Sequence, residues 1–278
     1  MNREEIIRKT AQELPPLPEI AMRILTLSHD PEVSPREIVE VVEYDPALTM
    51  KLLGFCNSPF YGLQRQISSL QEAIVYLGID AVVSYVLSSS IGKIYPRTNP
   101  GYGLDEGQLW RHAVAVAICS QALAQECAPE MSSQAFTAGL VHDVGKIAMN
   151  RFVGEEIADI LTIVEKEGVS FLDAERRRLG YDHTDAGAEV AESWSLPGDI
   201  VDAIRYHHNP SFETGKKVNE KLIATVHVGN ILCLSFGYGV GSDGLAYAFH
   251  PRMLKVLGMD SQKLLSLSIH IHEKFANA

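Results

Sequence analysis

Two four-residue stretches constrain what this chain can fold into more than any other feature. Ser34-Pro35-Arg36-Glu37 puts a hydroxyl N-cap, a proline at N1 and a glutamate at N3 ahead of Ile38, Val41 and Val42 at helical spacing, the pattern of a capping box opening a helix. Ser69-Leu70-Gln71-Glu72 repeats the device ahead of Ala73, Ile74 and Leu77, and Gly78 stands where a left-handed residue ends a helix. Strand signals, runs of alternating β-branched residues closed by Asn-Gly turns, are scarce. The fold class predicted is all-α.

The strongest interruption is residues 95–103, where Pro96, Asn99, Pro100, Gly101 and Gly103 leave no room for a regular element. A lobe boundary is placed there, giving an N-terminal helical lobe over 1–100 and a second lobe over 101–278. The first lobe reads as about five short helices, Pro46–Phe55 among them, with Asn57-Ser58-Pro59 as a helix-ending turn. The second reads as a long helix from near Asp105 to Cys127, then helices near 132–152, 155–167, 170–179, 183–195, 198–208, 218–236 and 260–276. The two lobes are expected to pack together, because helices rich in Leu, Ile and Val need a second surface to cover them.

Composition narrows the function classes. With 278 residues, 46% of them hydrophobic, the chain can bury a real core. Twenty-four Lys and Arg against 35 Asp and Glu give a formal charge of −11, so a phosphate backbone is repelled on average and nucleic acid is not an expected partner. The N-terminus MNREEIIRKT alternates charges and carries no apolar run of signal-peptide length, which points to a cytoplasmic protein. The longest apolar stretch, Ala73 to Ile91, is broken by Asp80 and four serines, so no transmembrane helix is predicted. Cys56, Cys119, Cys127 and Cys233 lack both zinc-site spacing and a disulfide framework, and read as small buried hydrophobes.

The histidines carry the chemistry. His112 precedes an apolar helical run, and by itself fits a core histidine. His142-Asp143, in "GLVHDVGK" between Gly139 and Gly145, fits either a buried His-Asp hydrogen bond or a ligand pair. Neighbouring residues on a helix point about 100° apart, so the pair serves two ions only if the aspartate bridges. His183 opens a helix, and His207-His208 ends one just before Asn209-Pro210, where a solvated C-terminus favoured by the dipole is the plain alternative. Together, imidazoles and a carboxylate at the ends of successive helices supply what a metal site in an α-bundle requires.

The order His112, His142-Asp143, His183, His207-His208 resembles the H…HD…H…HH…D order of the HD superfamily of metal-dependent phosphohydrolases, closest to its cyclic-dinucleotide phosphodiesterases. The flanking stretches "DPALTMKLLGFCNSPFYG", "AIVYLG", "GLVHDVGK" and "LGYDHTDAGAEVAESWSLP" are similar to the HDOD family in particular, over roughly residues 14–235. The resemblance implies a two-lobed helical bundle with the HD core in the C-terminal lobe. It implies metal ligands at His112, His142, Asp143, His183, His207 and His208, holding one or two divalent first-row ions (Fe, Mn, Ni or Zn) with ligand atoms about 2.0 to 2.3 Å from the ion. In an enzyme of this type Asp143 bridges the ions and Lys146 neutralises a phosphate oxygen, an exposed helix lysine being the plain alternative for the latter.

Two departures weigh on turnover. The last ligand position, an aspartate in active enzymes of the superfamily, aligns with Asn230, whose neutral amide is the weaker ligand. The phosphodiesterases continue from HH into a Gly-Tyr-Pro loop, whereas this chain runs "HHNPSFETGKK". His227, three residues before Asn230, is a candidate stand-in ligand or a hydrogen-bonding neighbour, and Arg176, Arg177 and Arg178 are a candidate guide for an anionic substrate or a solvated basic face. The resemblance therefore implies a bacterial signalling or regulatory output protein with residual or lost phosphohydrolase activity, working through a protein partner or a small phosphorylated ligand. The alternatives are an active phosphohydrolase or phosphodiesterase, and an interaction scaffold whose histidines form a buried polar network.

Overall fold

The computed structural model describes residues 3–28, 30, 32–58, 65–210, 218–244 and 247–276. Among them the regular structure is helical throughout, and the one β-type feature is an isolated antiparallel bridge between Asn99 and Leu104. Backbone contacts divide the chain into two compact units, residues 17–94 with 276–278, and residues 1–16 with 95–275. The division at 94/95 coincides with the start of the Pro/Gly-rich segment. The first sixteen residues, by contrast, belong with the C-terminal unit: Gln12 bonds Glu189 at 3.2 Å and the Trp194 indole N–H donates to the Pro15 carbonyl at 3.0 Å.

The smaller unit holds α2 (Glu19–Ser28), α3 (Pro35–Glu43), α4 (Pro46–Cys56), α5 (Leu70–Leu77) and α6 (Ile79–Ile91). The Ser34 box forms as the sequence predicts, with reciprocal bonds between Ser34 and Glu37. Ser69 caps the Glu72 N–H, but the Glu72 carboxylate reaches past it to the Ser68 N–H at 2.8 Å and to Arg65. Gly78 has the positive φ expected, +86°, with ψ at 158°, so it is a sharp junction between α5 and α6 and not a left-handed cap. Asn57 ends α4 by bonding both the N–H and the carbonyl of Ile67; Pro59 lies outside the described residues, as does 211–217 after the histidine pair. No single helix is long and apolar enough to cross a membrane; α5 and α6 pass that test only as a pair, bent by 117°.

The larger unit contains α1 (Arg3–Gln12), α7 (Gln108–Cys127), α8 (Ser132–Val141), α9 (Gly145–Glu167), α10 (Phe171–Leu179), α11 (His183–Ser193), α12 (Gly198–Tyr206), α13 (Glu220–Ser235), α14 (Arg252–Leu257) and α15 (Ser261–Ala276). Helix α7 is buried on most of its circumference by small side chains such as Ala113, Ala117 and Ala124, so α8 and α13 both lie close against it. Helix α14, absent from the sequence reading, closes this end: Met253 and Leu257 pack with Leu123, Ala224 and Val228.

Two boundaries differ from expectation in a way that positions the site. The helix read at 132–152 is broken at 142–144, and α9 then runs unbroken through Gly154 to Glu167. The break has a local cause. The His142 imidazole donates Nδ1–H to the Gly139 carbonyl at 2.7 Å, the acceptor a continuing helix would offer to the Asp143 N–H, and the backbone tightens into short-range bonds such as Val144 N–H to Val141 O. The 95–103 segment, read as irregular, contains a 3-10 turn at Pro100–Tyr102 that buries Tyr102 completely.

Candidate metal centre

Helix ends deliver the site. His112 projects from α7; His142 and Asp143 occupy the turn between α8 and α9; His183 is the first residue of α11; His207 and His208 follow α12; Asn230 lies on α13. All are buried, His142, Asp143, His183 and His207 completely. The α9 and α11 starts meet backbone to backbone: a Cβ on Gly145 would sit 1.9 Å from the His183 carbonyl oxygen. Only glycine lets Asp143 and His183 approach this way.

Asp143 stands between two sets of imidazoles. Its Oδ2 lies 3.3 Å from His142 Nε2 and 3.7 Å from His112 Nε2, while its Oδ1 lies 3.7 Å from His183 Nε2 and 3.7 Å from His207 Nε2. Two groups have ligand atoms all within 4.8 Å of one another: Asp143, His183, His207 and His208, and His112, His142 and Asp143. The sequence-predicted histidines thus converge, with the aspartate shared between the groups.

The tautomers follow from the outer partners. His112 Nδ1 faces the Tyr238 carbonyl at 2.7 Å, His142 Nδ1 the Gly139 carbonyl at 2.7 Å, His207 Nδ1 the Ile204 carbonyl at 2.7 Å, and His183 Nδ1 the Glu175 carboxylate at 2.6 Å. Each partner can only accept, so in the neutral ring each Nδ1 holds the proton and each Nε2 carries the lone pair. Among the described residues, Nε2 of His142, His183 and His207, both nitrogens of His208 and Oδ1 of Asp143 are buried without a hydrogen-bond partner. A buried acceptor with no donor costs about 1–3 kcal/mol. Several lone pairs aimed inward at one place therefore fit a cation, and the N/O donor set suits Zn, Fe, Mn or Ni.

Electrostatics keep most of these imidazoles ready. Burial, reinforced by neighbouring histidines, lowers the pKa of His112 to about 4, of His207 to about 3, and of His208 well below the usual value. His183 runs the other way: burial opposes its protonation, but the Glu175 carboxylate outweighs burial and raises it. Burial would raise Asp143, yet His142 and Lys146 hold it well below the ordinary carboxylate range.

Asn230 Oδ1 lies 3.0 Å from His112 Nε2. With His112 Nδ1 protonated, these are two acceptors face to face, which requires a cation nearby or an amide turned to donate its N–H. His227 is not aimed at the cluster: its Nδ1 faces the His207 carbonyl at 2.7 Å and its Nε2 accepts the His250 N–H at 3.1 Å. It supports the backbone of a ligand candidate.

Lys146, in the first turn of α9, is buried rather than turned to solvent. Its ammonium sits 2.7 Å from Asp143 Oδ2 and 2.7 Å from Asp243 Oδ2, and burial, though it favours the neutral amine, is outweighed by the two carboxylates, which raise its pKa. The arginines are spoken for: Arg176 pairs with Asp182 and Asp185, Arg177 with Glu167, and Arg178 with Glu156 and Asp159. They form a neutralised face.

Four residues of the cluster escaped the sequence reading. Glu175 holds His183 and accepts the Tyr102 hydroxyl; Asp243 accepts the Tyr247 hydroxyl at 2.9 Å; and the Tyr247 ring stacks on His208 at 3.7 Å. Glu175 left a trace, since Phe171, Glu175 and Leu179 share one helix stripe and a charge in an apolar stripe wants a partner. Asp243 in "FGYGVGSDG" and the two tyrosines left none.

The sequence pattern of the HDOD domain matches residues 14–210. An uncharacterized protein of Treponema pallidum is 24% identical over 222 residues, 79% of this chain but only 42% of that protein, so the chain spans less than half of that relative. A crystal structure of an HDOD domain protein of unknown function from Geobacter sulfurreducens shares 29% identity with a TM-score of 0.70, covering 95% of this chain and 88% of that one. A Shewanella amazonensis protein provisionally named a phosphohydrolase shares the fold at 22% identity, TM-score 0.70, covering 98% and 95%.

Proposed function

For a chain that belongs to the HDOD family, we propose a signalling or regulatory output role in which the HD-type cluster binds a divalent first-row ion and hydrolysis of phosphoesters is slow or lost. The observation that carries this reading is the pairing of a complete set of buried, inward-facing imidazole lone pairs with Asn230 beside His112, where active enzymes of the superfamily carry a carboxylate. His183, His207, His208 and Asp143 would hold an ion here, with His112, His142 and Asn230 as the weaker half. When bound, it supplies Lewis acidity and an acidified water.

The chain's own residues do the rest. Glu175 fixes the His183 ring and raises its basicity; Asp143 joins the two halves; burial keeps His112, His207 and His208 unprotonated near neutral pH. Lys146, saturated by Asp143 and Asp243, does not offer a free ammonium to a substrate phosphate. A signalling protein or a small phosphorylated ligand as partner, and a cytoplasmic location, belong to the same reading. The second reading, an active phosphohydrolase, rests on the bridging position of Asp143 between two ligand groups.

Metal analysis of the purified 278-residue protein, with assays on cyclic dinucleotides and generic phosphoesters, separates them. Bound metal with little or no turnover is expected; fast phosphodiesterase turnover overturns the regulatory reading, and a metal-free protein that takes up no added ion overturns both.

A further inference from the structure

We propose that the Lys146 ammonium serves as a built-in second cation of this site, so that the cluster holds one metal ion, on the His183, His207 and His208 side of Asp143. The inference rests on the metal-binding reading above and adds what limits the number of ions. The two oxygens of Asp143 are not equivalent. Oδ2 already receives the Lys146 ammonium at 2.7 Å, while Oδ1 is buried without a hydrogen-bond partner. The halves differ in the same sense. The Oδ1 side has three histidines whose inward nitrogens are unpartnered, whereas on the Oδ2 side only His142 Nε2 is so, His112 Nε2 being 3.0 Å from the neutral Asn230 amide.

Lys146 is locked in place. Asp243 grips the same ammonium at 2.7 Å, Tyr247 donates its hydroxyl to that Asp243 oxygen, and the Tyr102 and Tyr247 rings lie 5.5 and 5.8 Å from Nζ. Cation–π attraction and two ion pairs hold the charge where a second divalent ion would otherwise be neutralised. Charge balance agrees. Asp182 is answered by Arg176, so three buried carboxylates, Asp143, Glu175 and Asp243, face one ammonium. With every imidazole neutral, as an ion on the Nε2 atoms requires, the cluster's net charge is two negatives, which one divalent ion cancels, and an uncompensated buried charge is what proteins avoid. A second divalent ion would leave a buried excess of two positive charges; replacing Lys146 by a neutral residue halves that excess and frees Asp143 Oδ2.

The test is metal stoichiometry on the full chain, with Mn²⁺ as the probe. Native protein saturated with Mn²⁺ should bind one ion per chain and show the uncoupled six-line paramagnetic resonance spectrum of an isolated ion. Lys146→Gln should bind two and show an exchange-coupled pair, Asp143 bridging them. His208→Gln should abolish uptake by native-like protein, and His112→Gln should leave the single ion in place. A coupled pair in the native protein overturns the proposal while leaving the metal-binding reading intact, and so does a single ion that His112→Gln removes and His208→Gln does not. One ion only in folded Lys146→Gln also overturns it. No Mn²⁺ uptake by native protein or any variant overturns the metal-binding reading itself. Should Lys146→Gln fail to fold, the native spectrum and the two histidine variants still decide.

Discussion

Glu175 Oε2 lies 2.6 Å from His183 Nδ1 and 3.3 Å from the His183 backbone N–H, so one carboxylate fixes both the ring and the first peptide of α11. Its other oxygen accepts the hydroxyl of Tyr102, a residue from the 3-10 turn at 100–102. The ring's free nitrogen is thereby aimed at Asp143. A carboxylate behind a ligating histidine typically accounts for about 10- to 100-fold in metal affinity. Glu175→Gln should weaken metal binding by about that factor with the fold retained, and competition against a fluorescent chelator measures it. Unchanged affinity would remove Glu175 from the site.

Acid should destabilise the metal-free protein. His112, His207 and His208 have folded-state pKa values below the unfolded value, so each resists protonation only in the folded state. Their neutral burial is without penalty above about pH 6.5, and stability falls by up to roughly 1.4 kcal/mol per group per pH unit as pH drops toward about 4. His183 opposes the trend: its raised pKa gives stability that is full below the unfolded value and lost as pH rises through the folded one. Three groups outweigh one, so urea midpoints measured from pH 7.5 to 4.5 in the presence of a chelator should fall with pH.

Metal binding should tighten with rising pH. An ion and a proton compete for His183 Nε2, and the raised pKa of His183 strengthens the proton's side. Glu175→Gln removes the group that raises it, so this variant should show a flatter pH dependence of affinity as well as a lower maximum. Isothermal titration across pH 6 to 8 reads both.

Gly145→Ala should be among the most damaging single-methyl changes in the chain. The added Cβ would meet the His183 carbonyl oxygen at 1.9 Å and the Gly187 nitrogen at 2.5 Å, both backbone atoms that cannot rotate away. A loss of about 3 kcal/mol or more is expected, with metal binding lost in any protein that still folds. Chemical denaturation gives the first, metal analysis the second.

Asn230→Asp restores a carboxylate beside His112 and makes the cluster more negative by one charge. Metal occupancy should rise, and any latent phosphoester hydrolysis should rise with it. Unchanged metal content both here and in Asn230→Asp combined with Lys146→Gln would show that the residue 3.0 Å from His112 Nε2 is not a ligand position.

The helical fold was legible because its signals are local. The Ser34 and Ser69 caps and the Pro/Gly cluster after Ile94 act over one turn of chain, where backbone donors and prolines give the same answer in most surroundings. The candidate ligands were legible through their succession: each histidine alone has a plain reading, and the order of His112, His142-Asp143, His183 and His207-His208 carries the family with it. The reading of one helix over 132–152 missed that α8 stops at Val141, because the histidine that takes the Gly139 carbonyl fits the middle of a helix equally well by its residue type. Nor could it place Lys146. An isolated helix would leave that side chain in water, and the ammonium turns inward because Asp143, three residues earlier, and Asp243, ninety-seven residues later, meet it where no water competes. Local chemistry wrote the helices and the order of the histidines into the sequence; the carboxylate of Asp243 that meets Lys146 comes from a distant segment, and only the folded chain brings the two within 3 Å.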